Sequence, residues 1–198
     1  MTAAIATATK SKMTASEFLA WENSLSDVRH EFVEGEVFAM TGTTRQHNRV
    51  VINLVGALDQ ALQGTPCSVF AVDIKVRVEA ANAYFYPDLV ITCSEKDLDV
   101  SGPAVLTEPS VIIEVSSPST AEYDLAGKFT RYRMLPSLKE YIIVAPLSHG
   151  ATVFRKQDNG HWEVISESTH LNIGSIEFSC PFNALFANVA YVPPELRE

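Results

Sequence analysis

The chain lacks any run of about 18 consecutive apolar residues, the length a membrane-spanning helix needs, and no charged-then-apolar amino terminus resembles a secretory signal. Cysteine is scarce. Cys67, Cys93 and Cys180 are odd in number, far apart and embedded in different elements, so neither a disulfide framework nor a zinc site is expected and a reducing cytoplasm fits. Basic excess is missing as well: 15 Lys and Arg face 24 Asp and Glu, a formal net charge of −9. That balance weighs against a surface that holds nucleic acid by counterion release alone, so any such binding must be local or metal-bridged. No phosphate-cradling Gly-rich loop is present, which argues against a nucleotide-driven enzyme. Ser116, His149 and Asp158 lack the Gly-x-Ser-x-Gly elbow of a hydrolase triad, and His149, His161 and His170 lack compact metal-ligand spacing. Internal repeats and low-complexity tracts are absent.

What is present is a chain of 198 residues, 46% of them hydrophobic, enough to bury a sizeable core. One domain is expected over 13–190, between a disordered Ala-, Thr- and Lys-rich tail at 1–12 and a carboxy-terminal tail at 191–198. Thr14-Ala-Ser-Glu17 reads as a capping box opening a short helix. Glu34-Gly35, between Phe32/Val33 and Val37/Phe38, reads as a hairpin turn. Val51, Leu54, Val55, Leu58 and Leu62 keep helical spacing across Thr44 to Leu62. Val72, Ile74, Val76 and Val78 alternate with polar residues as in a half-buried strand. Two further strands are expected at Phe85 to Thr92 and Ser110 to Ser116, separated by a surface loop from Ser94 to Pro109. Pro118-Ser119-Thr120 offers caps for a helix that ends before Pro136; Tyr141 to Val144 is a strand, and Asp158-Asn159-Gly160 joins a hairpin that Leu171 to Phe178 extends. The fold class that follows is α/β (α+β), a mixed central sheet flanked by helices with added β-hairpins.

Two acids interrupt the apolar strands: Asp88 follows Pro87 at the start of one, and Glu114 lies in Val111-Ile-Ile-Glu-Val115. Alternation puts Ile112, Glu114 and Ser116 on one face. Each acid alone is explained by a turn or an exposed strand end. Together, two hard oxygen ligands with a backbone carbonyl and waters suit Mg2+ or Mn2+.

Pro87-Asp88 followed by Glu114-Val115-Ser116, within the order helix, strand, strand, strand, helix, strand, resembles the PD-(D/E)XK nuclease superfamily. More narrowly, Glu31-Phe-Val-Glu-Gly-Glu36, Arg45-Gln-His47, Pro87-Asp88-Leu-Val, Glu114-Val-Ser-Ser-Pro-Ser-Thr120, Asp124-Leu-Ala-Gly-Lys128 and Glu140-Tyr-Ile-Ile-Val144 resemble the Uma-two family of restriction-endonuclease-like proteins. The resemblance implies a restriction-endonuclease-like fold and metal-assisted phosphodiester hydrolysis, with DNA as the substrate. It implies metal ligands at Asp88, Glu114 and the Val115 carbonyl. The superfamily lysine two residues after the glutamate is replaced here by Ser116, whose hydroxyl can only hydrogen-bond. In the narrower family that lysine is thought to move to the next helix, which points to Lys128 as the third catalytic residue. Asp124, Lys128 and Arg131 lie on one helical stripe beside Leu125, Phe129 and Tyr132, where a solvated face is the alternative. Glu31 and His47 match recurrent family positions as auxiliary ligands or substrate contacts; Glu31 pairing with Arg29 and His47 as an ordinary first-turn residue are the alternatives. Asp73 is an outer-shell candidate. A catalytically silent interaction module that kept the fold is the competing function, and Phe182, Leu185 and Phe186 suggest either a homodimer contact or core.

Overall fold

In the computed structural model of the chain, which describes residues 12–40, 42–99, 101–117 and 120–193, Thr14 opens α1 (Ala15–Glu22) with the expected capping box. The tail expected at 1–12 lies outside the described residues up to position 11, as do 194–198 of the other tail and the caps at 118 and 119. β1 (His30–Val33) and β2 (Glu36–Ala39) form the hairpin, and Glu34 and Gly35 take φ of 51° and 95°, the two left-handed residues a tight two-residue turn needs. Thr44 caps α2 (Arg45–Leu62), whose Val50, Val51, Leu54, Leu58 and Leu62 are buried.

Two expected strands are each divided. β3 (Ser68–Ala71) and β4 (Lys75–Val78) are separated by Val72 and Asp73 at φ of 59° and 60°, a left-handed pair that ends the extended run and leaves Val72 exposed. A turn of 3-10 helix (Glu79–Ala81) leads to β5 (Ala83–Phe85), and Tyr86-Pro87-Asp88 separates it from β6 (Leu89–Thr92). The segment expected as a plain loop holds α3 (Glu95–Leu98) and β7 (Val105–Leu106), because the Asp97 carboxylate accepts from the Thr107 and Glu108 N–H groups and Leu106 is buried. β8 (Val111–Val115) precedes a π-helical turn (Tyr123–Lys128) that runs into α4 (Phe129–Tyr132). Then follow β9 (Glu140–Ala145), β10 (Gly150–Lys156), β11 (Trp162–Glu167), β12 (His170–Ile173), β13 (Phe178–Pro181) and α5 (Phe182–Leu185).

The strands make a six-stranded mixed sheet ordered β11-β10-β9-β8-β6-β3, in which β8 and β9 are parallel, and a five-stranded sheet ordered β2-β1-β5-β4-β7. β12 and β13 form a sheet of their own instead of extending the β10–β11 hairpin. Val111, Ile113 and Val115 share a core with α2, while Ile112 shares another with Phe85, Val76, Tyr132 and Tyr141. Glu114 therefore belongs to the face that meets the five-stranded sheet and α4.

One expectation is corrected. Cys67 and Cys93 form a disulfide: antiparallel pairing of Ser68 with Thr92 brings the next residues outward into apposition, which a separation of 26 residues conceals in the sequence. Of the two readings open for Phe182, Leu185 and Phe186, the structure takes core: all three are buried in the cluster that includes α2. Among the described residues no helix is long and apolar enough to cross a membrane.

Candidate active site

Tyr86-Pro87-Asp88 carries the chain from the five-stranded sheet to the six-stranded one. Pro87 has no N–H to donate, which suits a break between two ladders. The Tyr86 hydroxyl donates to Glu22 Oε1 at 3.0 Å and anchors the crossing on α1. Asp88 then turns toward β8: its Oδ2 accepts the Val115 N–H at 2.7 Å, and Oδ1 lies 2.9 Å from His47 Nε2 on α2. One residue back, Glu114 is buried, and its Oε1 accepts from Lys128 Nζ at 3.1 Å and the Tyr132 hydroxyl at 3.2 Å. Lys128 Nζ also lies 3.1 Å from Glu31 Oε1 on β1 and 3.5 Å from Asp124 Oδ1. The group thus joins both sheets, α2 and the helix after β8.

The π turn explains how Lys128 arrives. A π turn holds more residues than an α turn, which shifts the stripe read from 3.6-residue spacing: Asp124 and Lys128 are buried, while Leu125, expected on the apolar side, is half exposed. Gly127 lies directly against the Tyr123 side chain at the widened turn. A Cβ there would stand 2.5 Å from Cδ2 of the Tyr123 ring. The Tyr141 hydroxyl donates to the Asp124 carbonyl at 2.8 Å, and Arg131 turns back to the Gly127 carbonyl at 3.0 Å, away from the acids.

Burial pushes the Glu114 carboxyl well above its ordinary range; Lys128 opposes that shift, and the charges of Asp88, Asp124 and Glu31 reinforce it. Burial acts on Lys128 in the opposite sense, but Glu114, Glu31 and Asp124 outweigh it and hold the ammonium well above its ordinary value. Asp124 is raised, chiefly by burial. For His47, burial lowers the pKa, yet the hydrogen bond and charge of Asp88 and the facing Val115 carbonyl prevail and raise it. Four acids, Glu31, Asp88, Glu114 and Asp124, therefore meet two groups able to carry positive charge, Lys128 and His47. The hard-oxygen donors and the remaining negative excess fit a divalent cation such as Mg2+ or Mn2+. Among the described residues no three His, Cys, Asp or Glu side chains are spaced to hold a metal, so a bound ion would need backbone carbonyl or water ligands beside the acids.

Residues 15–177 match the Uma2 family, described as "Putative restriction endonuclease". The chain belongs to the Uma2 family. Uncharacterized protein slr1290 of Synechocystis sp. (strain ATCC 27184 / PCC 6803 / Kazusa) is 29% identical over 91% of this chain and 94% of its own. Uncharacterized protein sll1609 of the same strain is 30% identical over 87% of this chain and 96% of its own. A crystal structure of a "putative nuclease belonging to DUF820" from Anabaena variabilis ATCC 29413 superposes with a TM-score of 0.72 at 16% identity, covering 88% of this chain and 98% of that one. The likeness extends the fold described above across nearly the whole neighbour.

Within this Uma2 chain, the residues singled out in the sequence divide in two. Asp88, Glu114, Lys128, Glu31, His47 and the Val115 carbonyl are brought together. Ser116 and Asp73 are not. The Ser116 hydroxyl donates to the Val144 carbonyl at 3.3 Å, and Asp73 forms an exposed ion pair with Arg29 at 2.9 Å, which leaves Glu31 to Lys128. Asp124 and Tyr132 were not singled out as site residues. Asp124, four residues before Lys128, was visible as a stripe neighbour, whereas Tyr132 read only as an apolar helix residue.

Proposed function

We propose that the protein is a divalent-metal-dependent endonuclease that hydrolyses phosphodiester bonds in DNA. The observation that carries this reading is the meeting of Lys128 with Glu114 one residue from the N–H that holds Asp88. Asp88, Glu114 and the Val115 carbonyl would hold Mg2+ or Mn2+; bound there, the ion supplies Lewis-acid polarisation of the phosphate and lowers the pKa of water. The chain's own groups do the rest. Lys128 keeps a fixed positive charge at the acids, available to charge developing on phosphate oxygens. Tyr132 and Asp124 position Glu114 and Lys128 respectively. His47 holds Asp88 Oδ1 from the side of α2.

A second reading, an inactive interaction module, is favoured by one observation: the protein's own groups already engage both Asp88 oxygens and Glu114 Oε1. Calorimetric titration with Mn2+ and Mg2+, paired with plasmid nicking by wild type, Asp88→Ala and Lys128→Met, separates the two. The nuclease reading expects metal binding that Asp88→Ala abolishes, and nicking that falls roughly 100-fold or more in both variants. A wild-type protein that binds neither ion and leaves supercoiled, relaxed and linear DNA intact refutes it.

A further inference from the structure

Among the described arginines, Arg29, Arg77 and Arg155 pair with carboxylates, Arg131 bonds a carbonyl and Arg133 lies over the Phe129 ring. Arg45 and Arg49 make none of these contacts. Both are exposed and stand one turn apart on α2. They border a groove of about 510 Å³ that is also lined by Thr43, Thr44, Gln46, Asn48 and Asn188. No carboxylate lines it, and every lining residue is an Arg, Thr, Gln or Asn whose polar end can donate to a phosphate oxygen.

Its far wall is fixed. Asn53, one turn beyond Arg49, donates to the carbonyls of Leu185 at 2.9 Å and Ala187 at 3.0 Å, and the chain then turns at Asn188 with φ of 62°. At about 100° per residue, Arg45 and Arg49 lie on the side of α2 away from His47, whose imidazole meets Asp88, so the groove and the candidate site occupy different sides of the helix's first turns. In a chain of net charge −9, a polyanion is repelled on average and is held only where a local cluster of cations is left unneutralised. Arg45 and Arg49, without a carboxylate partner among the described residues, form such a cluster, with a geometry suited to phosphate oxygens.

Resting on the nuclease reading, we propose that this groove grips the phosphodiester backbone of duplex DNA, with Arg45 and Arg49 as the gripping residues. Backbone contacts of this kind fix register without reading sequence.

The test is fluorescence anisotropy of a labelled DNA duplex with the full-length protein, metal withheld, over a salt series. Wild type is compared with Arg45→Glu/Arg49→Glu, with the milder Arg45→Ala/Arg49→Ala, and with a charge-matched control, Lys139→Glu/Lys156→Glu; thermal melting checks the fold of each. The expected result is binding weakened at least about 10-fold by the glutamate pair and less by the alanine pair. The slope of log Kd against log salt should flatten by about two, with little change in the control. Wild-type affinity in both arginine variants, or an equal loss in the control, overturns the proposal. Tighter binding of an RNA duplex of the same sequence overturns its assignment to DNA. Plasmid nicking measured in parallel keeps the two claims apart: arginine-independent binding by a protein that nicks defeats the groove alone, while arginine-dependent binding without nicking defeats only the catalysis.

Discussion

Lys128 Nζ stands 3.1 Å from Glu114 Oε1 although 14 residues separate them, and the two meet inside a ring formed by Glu31, Asp124 and Tyr132. The ammonium is the positive centre of a buried acid cluster. Its removal differs from the loss of a surface ion pair, because the acids left behind have no water to turn to.

Lys128→Met should therefore destabilise the protein by about 3–5 kcal/mol, the typical cost of breaking a buried pair from one side. Adding Glu114→Gln to Lys128→Met should recover part of that loss, since one uncompensated charge is removed. Urea denaturation of the two variants checks this; a loss under about 1 kcal/mol in Lys128→Met would mean that solvent reaches the acids.

Gly127→Ala should cost about 1–3 kcal/mol, because its Cβ would stand 2.5 Å from the half-buried Tyr123 ring, which must shift to admit it. Tyr123→Ala should relieve it. A double-mutant cycle is expected to show strong coupling between the positions, and additive effects would rule out the clash as the cause.

The Tyr123 phenol is pushed up to about 12, first by burial and then by the charge of Glu31. The folded pKa lies above the unfolded value of about 10, so the phenol's contribution to stability is complete below about pH 10 and is lost as pH rises through about 12. Tyr123→Phe should lose less stability than wild type across that window. Denaturant midpoints at stepped alkaline pH, with phenolate absorbance followed in parallel, give the comparison; parallel curves for the two proteins would contradict it.

Cys67 and Cys93 should react with a thiol reagent only after reduction, so that unfolded, unreduced protein shows one thiol, Cys180, and reduced protein shows three. Reduction, or Cys67→Ser/Cys93→Ser, should lower stability by about 3–4 kcal/mol through the freed 26-residue loop. Three reactive thiols before reduction would dismiss the bridge.

Local chemistry made much of the fold legible. The Thr14–Glu17 capping box, the Glu34-Gly35 turn and the amphipathic period of α2 are each written within a few neighbouring residues, and each forms as expected. The division of the strand around Val72 and Asp73 was hidden, because alternation continues in the sequence where the backbone has turned left-handed. Asp88 and Glu114 were visible as charges in apolar runs. Tyr132 was not, since a phenol in a helix reads as core until the acid it meets is known. The burial of Asp124 and Lys128 was hidden for a different reason: the π turn changes the period by which helix faces are read.

The crossing at Tyr86-Pro87-Asp88 has a mechanical consequence. Glu31 moves with the five-stranded sheet, Glu114 with the six-stranded one, and Asp88 is tethered to both through the chain on either side of it. A slide of one sheet over the other alters the distance from Glu31 to Lys128, which Glu114 of the six-stranded sheet also holds, while Asp88 and Val115 stay together beside the paired β6 and β8. The tolerance for misfit between the sheets is thus narrowed to that of a hydrogen bond, a few tenths of an ångström, which is tighter than apolar packing alone would impose.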